Sequence, residues 1–278
     1  MAILLIGLFM LLAHFLGRNT PIETELAAAM KQGMTAQQRI DLSRRVVEML
    51  DRPGRGQPDA TLLLLSLGRI WQGPPENSPG VSAARQRATQ CLLGQLSSPD
   101  VARRKAAALA FAFWKGNPET AAIAPRLIEK LPDAREDLDV RIASAVALGA
   151  IGSASDKAVI DALERARNLS DERQAELSWN AALSLARLGR PSAAGTLLKL
   201  LDRGELARLT IFDREADPRN PRPRKLSDYE IERFLINAIE ASSALPDPAV
   251  LVRLRLLAQS DPSARVRTAA ARFGTVRN

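Results

Sequence analysis

The sequence predicts an all-α protein built from stacked helix pairs, and three observations carry that expectation. Of the 278 residues, 45 are Ala and 41 are Leu, while aromatics make up only 4%. Ala and Leu are strong helix formers, and the aromatic and β-branched residues that strands prefer are scarce, so a β-sandwich or β-barrel is not expected. Beyond residue 35 the apolar positions recur at helical spacing, broken by short Gly, Pro, Asp and Asn stretches. The chain also resembles itself at a period of about 37 residues, the mark of a solenoid in which each helix pair stacks on the next.

The first element is an apolar run, Ala2 to Gly17, without a single Asp, Glu, Lys or Arg. As a helix it rises about 24 Å, short of a hydrocarbon core of about 30 Å, so it spans a bilayer only with some thinning. No small-residue cleavage site follows it and no basic segment precedes it, which favours an uncleaved anchor over a signal peptide. A capping helix at the end of a domain would show a polar outer face, and this run shows none. The expected organisation is an anchor over 1–18, a tether over 19–35 and a solenoid over 36–278 with an insertion at 203–227. Localisation is then a single-pass membrane protein, with the side of the body left open.

The solenoid rests on recurring stretches. Asp139-Val140-Arg141 opens a template that runs to Gly152, and about 37 residues later Glu176 to Gly189 follows the same pattern. Gly152 matches Gly189, Ala145 matches Ala182 and Leu148 matches Leu185. About 39 residues before the template stands Asp100-Val101-Ala102, and Val266-Arg267 repeats the opening near the C-terminus. Leu197-Leu198-Lys199-Leu200 and Leu254-Arg255-Leu256-Leu257 align at a shift of about 57, which leaves about 20 extra residues between them. Six pairs follow, at 36–72, 81–115, 119–152, 155–189, 190–245 and 246–274. One member of each pair is Ala-rich, so that neighbours can approach closely.

These stretches resemble HEAT repeats, whose second helix opens on Val-Arg and continues through spaced small and Leu positions. Asp139, Val140, Arg141, Val266 and Arg267 carry that signature, and Pro125 sits where the family often bends its first helix. The resemblance implies a right-handed α-α superhelix of about six pairs over residues 36–278. It also implies that Arg141 and Arg267 pair with an Asp in a neighbouring turn. Ala102, Ser178 and Phe234 stand at or near the Arg position in the other repeats. Tetratricopeptide repeats, the main structural rival, have a shorter period and aromatic signature positions that are absent here.

Function is expected on the second helices and on the turns. The insertion contains Arg219, Arg222, Arg224 and Lys225 within seven residues, stiffened by Pro221 and Pro223. Arg side chains form paired bonds to carboxylate, so this segment is a candidate clamp for an acidic stretch of a partner. The alternative is a solvated loop neutralised by its own Asp213, Glu215 and Asp217. Trp179 and Arg187, on one second helix, are further partner-binding candidates, although Trp179 also fits burial between helices. Two other turns, 51–59 and 72–80, should project from opposite edges. Trp71 and Trp114 end helices, and Cys91 reads as a packing residue beside Leu92 and Leu93.

Catalytic equipment is missing from the motifs. His14 is the one histidine and lies in the apolar run, and Cys91 is the one cysteine. This removes histidine-paired nucleophiles and Cys/His metal sites from the body, and no phosphate-loop or metalloprotease motif occurs. No catalytic residue, metal or cofactor is expected. The expected function is a non-enzymatic, membrane-tethered scaffold for another protein, with its oligomeric state open. Two other readings remain. The formal charge of +8 would suit a nucleic-acid-binding HEAT-like protein with a basic concave face, resembling certain DNA glycosylases. The membrane segment and a template helix with Arg141 as its sole charge argue against nucleic acid. A resemblance to HEAT-like bilin lyases rests on the repeat alone.

Overall fold

Aspartates write the helix starts of this chain. In the computed structural model, which describes residues 24–25, 28, 33–52, 59–73, 78–213 and 222–274, the carboxylates of Asp59, Asp100, Asp137, Asp156, Asp202 and Asp247 each accept a bond from a backbone N–H in the first turn that follows. Thr35 and Ser227 do the same within complete capping boxes, closed by Gln38 and Glu230. Each cap satisfies donors that a helix leaves unpaired, and is worth about 1 kcal/mol.

The described residues divide into two compact units at Gly152 and Ser153. In the first, α1 (Ala36–Asp51) pairs with α2 (Ala60–Ile70), α3 (Pro79–Gln95) with α4 (Val101–Phe111), and α5 (Thr120–Lys130) with α6 (Leu138–Ile151). First helices pack on first helices and second helices on second helices. The second helices approach most closely. Leu63 through Gly68 are buried on α2, and Ala106, Ala107, Ala108 and Ala110 are buried on α4. A Cβ on Gly68 would lie 2.5 Å from the Ala110 carbonyl oxygen and 2.7 Å from its Cα, so only glycine fits there. Trp71 and Trp114 are buried beside this contact and donate to Ser43 Oγ and the Gly68 carbonyl, each at 3.1 Å.

The second unit holds α7 (Lys157–Arg167), α8 (Ala175–Arg187), α9 (Ala194–Leu200), α10 (Arg203–Arg208), α11 (Asp228–Ala241), α12 (Pro248–Ser260) and α13 (Ala264–Gly274). Here α8, α11 and α13 stack as second helices, while α9 packs on α12. The insertion departs from the expected loop and from a purely helical class. It contains α10 and an antiparallel pair of strands, β1 (Thr210–Asp213) and β2 (Arg222–Lys225). Thr210, Ile211 and Phe212 are residues that favour strand, which is why this short stretch leaves the helical pattern. Phe212 faces Pro223 in the register. Proline has no N–H to give, so that pair must be the non-hydrogen-bonded kind, and the outer edge of β2 loses a donor.

The repeat register differs from the dipeptide alignment. The caps Asp100 and Asp137, and the cap position Gln174, stand 37 residues apart. Four residues after each cap come Arg104, Arg141 and Ser178, and each reaches back to a carbonyl at the preceding turn. Arg104 Nη1 donates to Ser98 (2.7 Å) and Pro99 (3.1 Å), Arg141 Nε to Leu131 (2.9 Å), and Ser178 Oγ to Arg167 (2.5 Å). Arg267 repeats this with Asp261 (2.7 Å) and Pro262 (3.0 Å). Arg104, not Ala102, therefore holds the position. Arg141 and Arg267 tie to backbone carbonyls rather than to an Asp side chain. Carboxylate ties run elsewhere: Glu136, with a side chain 4% exposed, accepts from Arg104 at 2.9 Å and Lys130 at 2.6 Å, and Asp139 accepts from Lys105 at 2.7 Å. Burial pushes the Glu136 carboxyl up, but Lys130 and Arg104 outweigh it and hold the group below its ordinary value.

Among the described residues no helix is long and apolar enough to cross a membrane. The expected anchor over 1–18, His14 included, lies outside the described residues, as does most of the tether.

Two substitutions test this packing. Gly68→Ala forces a backbone clash between α2 and α4 and is expected to cost about 1–3 kcal/mol in urea unfolding. Glu136→Ala leaves Arg104 and Lys130 without their buried carboxylate and is expected to cost about 3 kcal/mol, with Arg104 Nη1 still bound to its carbonyls. An unchanged midpoint in either case would refute the corresponding contact.

Candidate partner-binding face

Helix α8 carries Glu176, Asn180 and Arg187 at spacings that return to one side of a 3.6-residue helix, and α11 carries Arg233, Asn237 and Glu240 in the same way. All six are half-buried. The two helices pack side by side as successive second helices. Between these polar rows, Trp179 of α8 meets Phe234 of α11 edge to face, with ring centroids 6.0 Å apart and planes at 83°. Both rings are half-buried, so Trp179 is neither sealed in the core like Trp114 nor free in solvent.

Arg187 and Glu240 occupy equivalent places, each thirteen residues after its cap position, Gln174 or Ser227. Burial lowers the Arg187 pKa, with Glu240 acting in the opposite sense. Burial also pushes the Glu240 carboxyl up to about 7, against the pull of Arg187 and Arg272. The two groups feel each other, yet they are not in ion-pair contact. Among the described residues Arg187 has no hydrogen-bond or ion-pair partner.

The basic end of the insertion is arranged differently. Arg224 makes a two-pronged contact with Glu230 at 2.6 and 2.8 Å and lies 4.0 Å from Asp213. Lys225 Nζ donates to the Arg208 carbonyl at 2.5 Å and to Thr210 Oγ1 at 3.1 Å. Arg222 stands on the exposed strand β2, and Arg219 lies outside the described residues. Arg224 and Lys225 thus pin the hairpin to α10 and α11, a structural role that the charge pattern alone did not reveal. Cys91 is half-buried, and burial raises its thiol to about 11, which leaves it un-ionised at neutral pH. Among the described residues no group of three or more His, Cys, Asp or Glu side chains is placed to hold a metal.

Phe234 and Glu240 were not among the partner-binding candidates in the sequence. Counting from the helix caps would have found Glu240, which stands at the Arg187 place one second helix further on, but not Phe234, which stands seven residues after its cap where Trp179 stands five after its own.

Fold and face together define a protein of paired helices with a half-exposed aromatic contact on its second helices. No protein-family model matches the chain, and no curated protein does. Among solved structures, the chain is similar to human deoxyhypusine hydroxylase in complex with glycerol, at 18% identity and a TM-score of 0.31, over 84% of this chain and 95% of that one. That neighbour is an enzyme, and the expectation that this chain is not one is not retained. The expectation rested on missing motifs and histidines, whereas stacked helices can gather reacting groups from separate repeats and a fold does not fix its chemistry.

The Arg224–Glu230 contact carries a pH signature. Hydrogen bonds from Arg224 pull the Glu230 carboxyl from 4.5 down to about 2. Its stabilising effect is therefore complete above 4.5 and is lost as pH falls towards 2. Hydrogen-exchange protection, relative to the intrinsic rate at each pH, is expected to fall at β1, β2 and the first turn of α11 across that window, and Glu230→Gln should abolish the change. Equal protection of wild type and variant at every pH would contradict it.

Proposed function

We propose that this chain is a HEAT-type solenoid that holds another protein against the second helices of its 153–274 unit, tethered to a membrane through residues 2–17. The observation that carries this reading is the Trp179–Phe234 pair. Half-buried aromatics on packed helices supply large contact area at small entropic cost, and truncating such an anchor typically costs a partner more than tenfold in affinity. The extended faces of helix stacks are where such proteins bind. The tether is supported by the uncharged run from Ala2 to Gly17.

A photo-cross-linking amino acid at position 179 of the full chain, in native membranes, is expected to give one dominant adduct. Trp179→Ala should weaken capture of that neighbour by about tenfold or more, and Trp179→Phe should restore part of it. Equal capture by wild type and Trp179→Ala would defeat the reading. The tether is tested by a carbonate wash, which should leave the chain in the pellet, and quantitative release would refute it.

A further inference from the structure

From the setting of Arg187 we infer the chemistry of the partner, on the footing that the proposed face is correct: it is an acidic segment whose carboxylate pairs with Arg187 while an apolar side chain packs on Trp179 and Phe234. Several cations of this unit are already engaged by acids or carbonyls of the chain itself. Arg203 holds Asp261, Arg253 holds Asp202, Arg265 holds Glu232 and Arg224 holds Glu230. Lys225 is bound to a carbonyl and a hydroxyl. Arg187 differs from these engaged cations, and among the half-buried ones without an ion pair it is the one on the helix that carries Trp179. It is half-buried and has no partner among the described residues.

A guanidinium drawn partly out of water without an acceptor is costly, and the compensation that recovers most is a carboxylate matched to its donor fork. Glu240 does not provide this, because it is not within ion-pair distance. Arg272, exposed on α13, adds a second positive charge that reaches Glu240. Counting Glu176 and Arg233 on the same rows, the charge is three positive against two negative, a surplus that favours an incoming acid over an incoming base.

Spacing fixes what the segment looks like. Trp179 and Arg187 are eight residues apart on α8, or about 12 Å along the axis. An extended chain covers that distance in about three to four residues. The segment should therefore carry its apolar anchor and its Asp or Glu three or four positions apart.

The test is fluorescence anisotropy with the full chain in lipid nanodiscs. The probe is a labelled peptide bearing one Phe and one Glu four positions later, and its control carries Lys in place of Glu. The Glu probe should bind and the Lys control should bind at least about tenfold more weakly. Arg187→Gln should weaken the Glu probe about tenfold, and Glu240→Gln should tighten it a few-fold by removing the competing carboxylate. Equal binding of both peptides, no binding of the Glu probe, or an Arg187→Gln variant indistinguishable from wild type would overturn the inference. A preference for phosphatidylglycerol vesicles over the peptide would overturn it too, assigning Arg187 to a lipid surface. If Trp179→Ala weakens capture of the native neighbour while Arg187→Gln does not, the acidic segment fails and the proposed face stands. If Trp179→Ala has no effect on that capture, the face itself fails.

Discussion

Close approach of second helices is the constraint on which the first unit depends. With Gly68 set against the Ala110 backbone and a run of buried alanines on α4, the helices meet almost backbone to backbone. Small residues at such a contact give up side-chain burial, which would ordinarily supply much of the hydrophobic stabilisation. The loss is offset nearby, where Leu63, Leu64, Leu67 and Ile70 of α2, together with Trp114 and Phe111, are almost wholly buried. Phe111 and Trp114 meet edge to face at 5.6 Å, so the bulky residues gather at the end of α4 while its middle stays thin. The Ala/Leu bias is a division of labour between a thin contact and a thick one.

Stacking helices on small residues leaves the turns to set their register. Each turn brings together unsatisfied carbonyls from the end of a first helix and the cap of a second. A residue four positions after the cap closes this gap in four of the repeats, with Arg in three and Ser178 in one. The Ser version reaches a single carbonyl, whereas Arg104 reaches two carbonyls and the Glu136 carboxylate of the next repeat. Where the first unit needs a tie between repeats, it uses the longer side chain. The Arg85–Glu119 contact, at 2.8 Å with side chains 3% and 11% exposed, is another such tie, linking α3 to the start of α5.

How much of this was legible depends on which signals are local. Helix starts were readable, because Asp and Ser caps and the Ala-rich helices that follow are contiguous in sequence. The register of the Arg position was misjudged at Ala102, because Val-Arg is a weaker marker than the cap two residues away. The hairpin was missed for a related reason: Thr210-Ile211-Phe212 is a short strand signal beside a dense run of charge. The candidate face was half readable. Trp179 and Arg187 stand out on their own helix, but Glu240 stands at a cap-to-cap shift of 53 residues rather than 37, because the insertion intervenes, and Phe234 falls two residues beyond the place that shift gives Trp179. Pairing across adjacent helices is a property of the stack and cannot be seen from either helix alone.

The same distinction governs charge. A formal +8 invites a search for a basic patch, and one candidate in the sequence is the insertion around Arg222, Arg224 and Lys225. There the density has an internal cause. A two-stranded hairpin buries little apolar surface and is marginal by itself, so it must be fastened by its side chains to neighbouring helices. Arg224 and Lys225 do that fastening, and a cation already matched to a carboxylate or a carbonyl has little left to offer a ligand. Arg187 carries no basic neighbour on its helix. It is held in place by the packing of α8 rather than by an acid, which is what leaves its guanidinium available. In a chain of paired helices, the cation positioned by the stack is a better guide to a binding face than the cluster positioned by its own counter-ions.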